Sequence, residues 1–469
     1  LHAQKNVCKL CLVHICYTLK IYGCKLIKLK MKKPELCIRN ATVVLPDQLQ
    51  ETDVLVEDGI ISAIGRGLPD GKETLDASGL ILFPGLIDPQ VHFREPGNAH
   101  KEDLHTGSKA AAAGGITSFL DMPNNNPAVI NAERMAAKKQ RAAEQCVVNY
   151  GFFVGATPEN LAEINSVPNV CGIKVFMGSS TGDLLVHREE DLERIFANGS
   201  RLIAVHAESE RQIRDNTALL QGCKDVKAHP KIRDEATALE ATELAVRLSL
   251  QYKRRLHILH LTTEEETLLL RRLPRDHRIS TEVCPQHFTL TAPDCYEKLG
   301  TLAQMNPPLR SPRHGKALWQ ALKDDIINCI ATDHAPHTLE EKDAPYGKAP
   351  SGMPGVETSL PLLLTRHSQG DCSLVEIAKW MSEAPARLYK MKNKGRIQVG
   401  YDADLTLVDA QLKRTVENGK LFTKVNWSPY AGMELTGWPV RTIVHGQTVF
   451  VDGQIQPGIR GKEIQFMED

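Results

Sequence analysis

Three histidines, an aspartate and a lysine stand at the ends of separate apolar runs in a chain of 469 residues: His92, His206, His260, Asp333 and Lys174. Alone, each such histidine is more often a hydrogen-bonded core residue. Recurring at matching positions, they form a nitrogen and carboxylate donor set of the kind that holds zinc or a related divalent ion. An ion of that type lowers the pKa of water from ~15.7 to about 7, which makes a nucleophile available at neutral pH. The stretch "DPQVHFREPG" at 88–97 sharpens the question. Gln90 and His92 share one side of a strand end, where a histidine at position 90 would complete a His-X-His metal pair. Arg94 follows two residues later, and its guanidinium fork suits a carboxylate through two parallel hydrogen bonds.

Eight runs carry these residues: 80–92, 116–124, 147–157, 171–178, 201–208, 255–263, 278–287 and 327–337. Between them lie pieces rich in Ala, Glu, Lys and Leu, such as 131–145 and 235–255, with the composition of amphipathic helices. Eight β units alternating with helices predict an α/β chain folded as a (β/α)8 TIM barrel, with a doubly wound open sheet as the alternative. In a barrel the strands' C-terminal ends form the active rim. Gln90, His92, Asn124, Lys174, His206, His260, His287, Asp333, His334 and His337 then belong to one set. Alternation places Leu202, Ala204 and His206 on one face, and likewise Leu256, Ile258 and His260, with His257 on the opposite face.

Short β-branched runs at 35–63 and again at 402–409 and 441–455 flank this body. Each is too small to bury a core alone, so both predict one composite β-sandwich. The expected organisation is an N-terminal extension at 1–30, sandwich at 31–85, barrel at 86–394 and sandwich again at 395–469. Residues 1–30 interleave lysines with broken apolar pieces, and Met31 reads as a natural start. "CKLC" at 8–11 has zinc-ligand spacing but no second Cys/His pair at a suitable distance.

Lys+Arg and Asp+Glu are equal at 57 each, so the formal charge is zero and no electrostatic footprint for nucleic acid or an anionic membrane exists. An anionic ligand must be met by local groups. Of the 12 cysteines, four crowd into the first 30 residues; the scatter of the rest reads as reduced, cytosolic usage.

The motifs "DPQVHFREPG", "EDLHTGSKAAAAGG", "DMPNNNP", "GIKVFMGSS", "AVHAE", "LHILHLT", "EVCPQHF", "MNPPLRS", "ATDHAPHT", "SGMPGVETSLP" and "KGRIQVGYDADLTLVD" span the chain from about residue 35 to 460. Through them it resembles the cyclic amidohydrolases, and among these the dihydroorotase family. The resemblance implies a metal-dependent barrel with a flanking sandwich that opens or closes a cyclic amide. It implies that His92 and Asp333 hold one metal, that His206 and His260 hold a second, and that Lys174 is the bridging lysine that is carboxylated. Asp333 would move the proton from water to the leaving nitrogen. Arg94, Asn124, Asn306 and His337 match positions that hold the dihydroorotate ring and carboxylate, and His287 takes an auxiliary pocket role. Family members acting on neutral rings, the allantoinases and hydantoinases, lack the arginine.

The family pattern has histidine where Gln90 stands, and a carboxamide oxygen is a weaker, neutral donor. Gln90 then ligates through oxygen, or water fills the gap, or the site runs on the metal held by Lys174, His206 and His260. The expected ligand is one or two zinc ions and the expected substrate pair carbamoyl-aspartate and dihydroorotate. Self-association, or a complex with aspartate carbamoyltransferase, is the expected assembly. The competing readings are a catalytically impaired scaffold for that transferase and an allantoinase- or hydantoinase-type enzyme.

Overall fold

The computed structural model describes residues 33–179, 184–274 and 278–467. The extension at 1–30, with its "CKLC", lies outside them. Eight parallel strands form the barrel wall: β1 (Leu86–Val91), β2 (Ile116–Asp121), β3 (Asn149–Phe152, continued as Val154–Gly155), β4 (Ile173–Phe176), β5 (Ile203–His206), β6 (Leu256–Ile258), β7 (Ile279–Val283) and β8 (Cys329–Ile330). Their residues are almost all buried, as expected of parallel strands covered on both faces. The wall closes where Val91 pairs with His334 and His92 N–H donates to His334 C=O at 2.8 Å. No helix among the described residues is long and apolar enough to cross a membrane.

The first apolar run is two strands, not one. Ile81–Pro84 pairs with Leu405–Thr415 in the flanking sheet, and only Leu86–Val91 enters the barrel. Gly85 makes the junction, where a Cβ would lie 2.4 Å from Thr117 Oγ1 and 2.9 Å from the Asp404 carbonyl. The flanking sheet has nine strands drawn from both ends of the chain, and its apolar faces close on a core of their own that includes Ile38, Val54, Leu82, Leu405 and Ile443. Residues 461–466 return to the barrel, with Tyr150 paired to Glu463 and Ile464 buried in the barrel floor.

Helices cover the outside of the wall and start where side chains can accept their free N–H groups. Asn131 caps Ala132–Gln145 and Asp234 caps Glu235–Gln251. These two match the helical pieces expected at 131–145 and 235–255, the second stopping four residues early at Gln251.

Inside the wall, Lys174, Ala204, His257 and Ser280 lie level on adjacent strands. His257 is therefore on the inner face, contrary to the alternation argument. His260 reaches the rim by another route: β6 ends at Ile258, and His260 adopts a left-handed φ of 39° that resets the alternation.

Candidate active site

Nine of the expected residues line one cavity at the C-terminal rim: Gln90, His92, Arg94, Asn124, Lys174, His206, His260, Asn306 and Asp333. Phe176, Ala335, Ser351 and Gly352 complete the wall. Arg94, His260 and Asp333 all hold left-handed φ, at 59°, 39° and 49°. For residues with a Cβ this conformation is strained, and such strain collects at functional sites.

On one side, His206 at the end of β5 faces His260 after β6, with Nδ1 and Nε2 3.0 Å apart. The other nitrogen of His206, Nε2, lies 2.7 Å from Glu208 Oε2. Burial works to raise the Glu208 carboxyl, but the adjacent Arg233 guanidinium and the His206 ring outweigh it and hold it at about 2. Glu208 is thus an ionised acceptor, so His206 carries its proton on Nε2 and turns a bare Nδ1 into the cavity. Burial lowers the pKa of both rings, for His260 with the further push of His206. Two neutral rings with converging nitrogens, one oriented by a carboxylate, are the usual support of a bound metal. Lys174 is 1% exposed and burial lowers its amine to about 7. Its Nζ lies 4.3 Å from the Phe176 ring centroid. A neutral amine is the nucleophilic form that carboxylation requires.

On the other side, His92 donates from Nδ1 to Asn124 Oδ1 at 2.7 Å and sets Nε2 3.0 Å from Asp333 Oδ1. Gln90 donates from Nε2 to the same Asp333 oxygen at 3.1 Å, while its own Oε1 is buried without a hydrogen-bond partner. That bare oxygen is an available, weak metal donor, so the residues present fit a divalent ion. Phe93 N–H donates to Asp121 Oδ1 at 2.8 Å, and Asp121 pairs with buried Lys138 at 2.5 Å, which fixes the chain between His92 and Arg94.

Arg94 is 5% exposed, and burial lowers its pKa to about 10, leaving it charged at neutral pH. Nε donates to the Pro336 carbonyl at 3.1 Å and Nη2 contacts His337 Nε2 at 3.1 Å. His337 does not line the cavity. It sits behind Arg94, neutral because it is buried between Arg94 and Lys101, whose Nζ donates to its Nδ1 at 3.0 Å. His287 is also outside the lining, 4% exposed, with Nε2 donating to Pro307 C=O at 3.2 Å and burial lowering it to about 4. His334 turns outward, its Nδ1 accepting from Gly355 and Val356 N–H at 3.0 and 3.3 Å.

Glu208 and Arg233 were not among the expected site residues, and the sequence offered His229, in "AHPKIRDEA", only as the border of a substrate-side loop. His229 donates from Nε2 to Met305 C=O at 2.9 Å and Asn306 Oδ1 at 3.0 Å, which leaves the Asn306 amide N–H groups to the cavity. Gly352 lets backbone approach the pocket closely: at φ 139° a Cβ would meet the Ala335 carbonyl at 2.4 Å. Gly355 does not, since its Cβ would make only ordinary contact at 3.4 Å.

The description "Amidohydrolase family" matches residues 81–449. The chain belongs to that family. It is 34% identical to a dihydroorotase of Methanosarcina mazei over 450 residues, 92% of this chain and 98% of that protein. It is 35% identical to a dihydroorotase of Methanothermobacter thermautotrophicus over 439 residues, covering 90% and 96% of the two chains. Among solved structures, the L-hydantoinase of Arthrobacter aurescens superposes with a TM-score of 0.88 at 29% identity, covering 92% of this chain and all of that one. The dihydropyrimidinase of Brevibacillus agri gives 0.84 at 29% identity, over 94% of this chain and 100% of its own. The barrel with its flanking β unit and the cyclic-amide-hydrolysing class of this amidohydrolase are thereby established.

Proposed function

We propose that this amidohydrolase is a dihydroorotase, which reversibly cyclises N-carbamoyl-L-aspartate to (S)-dihydroorotate in pyrimidine synthesis. The observation that carries the choice of ring is Arg94, a buried cation lining a cavity otherwise fitted for metal and amide. Nε donates to the Pro336 carbonyl and Nη2 only contacts the His337 ring, so further guanidinium N–H groups remain for a carboxylate. A neutral ring would leave that charge without a counterion inside the cavity, at a cost that a carboxylate removes. The dihydroorotases among its relatives support the same choice.

In this reading Arg94 binds the substrate carboxylate and His337 holds the guanidinium in place from behind. Asn306, oriented by His229, donates its amide N–H groups to the substrate. Asn124 fixes the tautomer of His92. His92, Lys174, His206, His260 and Asp333, with Gln90 through its oxygen, would hold zinc, as one or two ions with Lys174 carboxylated. Such an ion supplies Lewis acidity toward an amide carbonyl and toward water. Asp333 holds and moves the proton at Oδ1, the oxygen shared by His92 and Gln90. His287 stays an auxiliary wall residue. The eight cysteines described are free thiols, which supports a reducing, cytosolic setting. Assembly with itself or with aspartate carbamoyltransferase is part of the same reading.

The test is turnover by metal-replete protein of dihydroorotate, carbamoyl-aspartate and the neutral rings dihydrouracil and hydantoin. Dihydroorotate is the expected substrate, and Arg94→Met is expected to lower its kcat/KM about 100-fold or more, as loss of a buried charge pair does. Turnover of the neutral rings alone would make the protein a hydantoinase. Turnover of none would leave it a scaffold.

A further inference from the structure

Below the rim, on the inner face of the wall, β6, β7 and β8 bring His257, Glu282 and Cys329 together, each fully buried. One ligand atom from each lies within 4.8 Å of the other two. His257 Nε2 is 2.9 Å from Glu282 Oε2, and its Nδ1 is 3.0 Å from Ser280 Oγ. Ser280 donates its own hydrogen to the Leu256 carbonyl at 3.2 Å, so its lone pair receives the Nδ1–H of His257. In the neutral ring Nε2 is then bare and faces a carboxylate oxygen. Two such lone pairs at this distance need a cation between them, either a proton or a metal ion.

A proton satisfies only that one contact. It leaves Glu282 Oε1 buried without a partner, along with the hydroxyl of Tyr389, whose ring packs edge-on against His257 at 5.6 Å between centroids. It also leaves the Cys329 thiol with only a long hydrogen bond to the Thr281 carbonyl, at 3.9 Å. A divalent ion engages Nε2, the carboxylate and the sulfur at once. We propose that His257, Glu282 and Cys329 form a structural site for a zinc-type ion in the barrel floor, distinct from the rim site.

The mixed nitrogen, oxygen and sulfur set suits zinc, which prefers four-coordinate closed sites for structural roles. Bonds of ~2.0–2.3 Å put tetrahedral ligands about 3.3–3.7 Å apart, so loading opens the 2.9 Å contact between His257 Nε2 and Glu282 Oε2. The Nδ1–H bond to Ser280 is the outer hydrogen bond that ligating histidines use to fix their tautomer.

Sulfur separates the two sites experimentally, because the rim donors are nitrogen and oxygen only. Full-length protein stripped of metal and reloaded with cobalt(II) is expected to show a thiolate-to-cobalt charge-transfer band in the near ultraviolet. Cys329→Ser and, independently, His257→Gln are expected to lose the band and one metal equivalent per chain. His206→Ala, at the rim, is expected to keep the band. Absence of the band in the unaltered protein overturns the site whatever the variants do. Its full persistence in Cys329→Ser overturns it as well, and assigns the sulfur to another cysteine, such as those at 8–11. None of these readouts depends on turnover, so the fate of the dihydroorotase reading leaves the outcome untouched.

Discussion

On the β5–β6 side of the cavity, His206 donates a hydrogen bond from Nε2 to an ionised Glu208, and Arg233 holds that carboxylate in place. On the β1–β8 side, His92 leans on the neutral amide of Asn124, and Asp333 is shared between the His92 ring and the Gln90 amide. The first half presents bare ring nitrogens backed by charge; the second presents a carboxylate partly occupied by an N–H donor. Metal affinity follows ligand basicity and its outer hydrogen bonds. On the proposed reading, the difference would put the stronger ion at His206, His260 and Lys174, and would make the Gln90 half a place for substrate, proton and a weaker ion.

Removing one ring from each half breaks this comparison if it is wrong. His260→Ala is expected to strip the stronger ion and cut turnover by more than ~100-fold, since even outer-ligand changes cost ~10- to 100-fold. His92→Ala is expected to lower turnover yet keep that ion, read by elemental analysis of each purified variant. Equal metal loss from both would erase the distinction.

Restoring the missing nitrogen sharpens the same comparison. Gln90→His is expected to raise bound metal by one equivalent per chain and to change turnover by no more than about 10-fold. If turnover appears only in Gln90→His, the chain as written is a scaffold and not a working enzyme.

The barrel was legible because parallel strands buried on both faces leave unbroken apolar runs, and all eight were readable that way. What failed was the extrapolation of alternation past a strand end. Counting by twos from Leu256 reached His260 at the right place for the wrong reason and sent His257 to the wrong face, because the backbone turn at His260 has no sequence mark. Eight rim residues could be named from type and position and the ninth, Asn306, only from the family resemblance, but the positioning residues behind them were less visible. Glu208 had a signal, two residues past His206 at a strand end and so on the same side. Arg233 had none, since it arrives from the connection between β5 and β6. His337 was named four residues past Asp333, yet the left-handed turn at Asp333 carries the chain behind Arg94, where its ring contacts Lys101 instead of the cavity.

The smallest effect on turnover, and a test of how the Gln90 half is anchored, concerns Asp88. This carboxylate accepts from Thr332 Oγ1 at 2.5 Å and Thr332 N–H at 3.0 Å, tying β1 to the residue before Asp333. Burial nevertheless raises it to about 7, against 3.8 for the free group. The folded chain therefore binds more protons here than the unfolded one between pH ~4 and ~7, and stability falls as pH rises through that window. Below it both states are protonated and Asp88 contributes no pH dependence; above it the penalty is complete. Asp88→Asn, which has nothing to ionise, is expected to flatten the decline of Tm between pH 4 and 7 while leaving metal content and kcat nearly unchanged. An undiminished slope in that variant would mean that the Thr332 hydrogen bonds keep Asp88 ionised throughout. The Gln90 half would then rest on a buried charge, as the His206 half rests on Glu208.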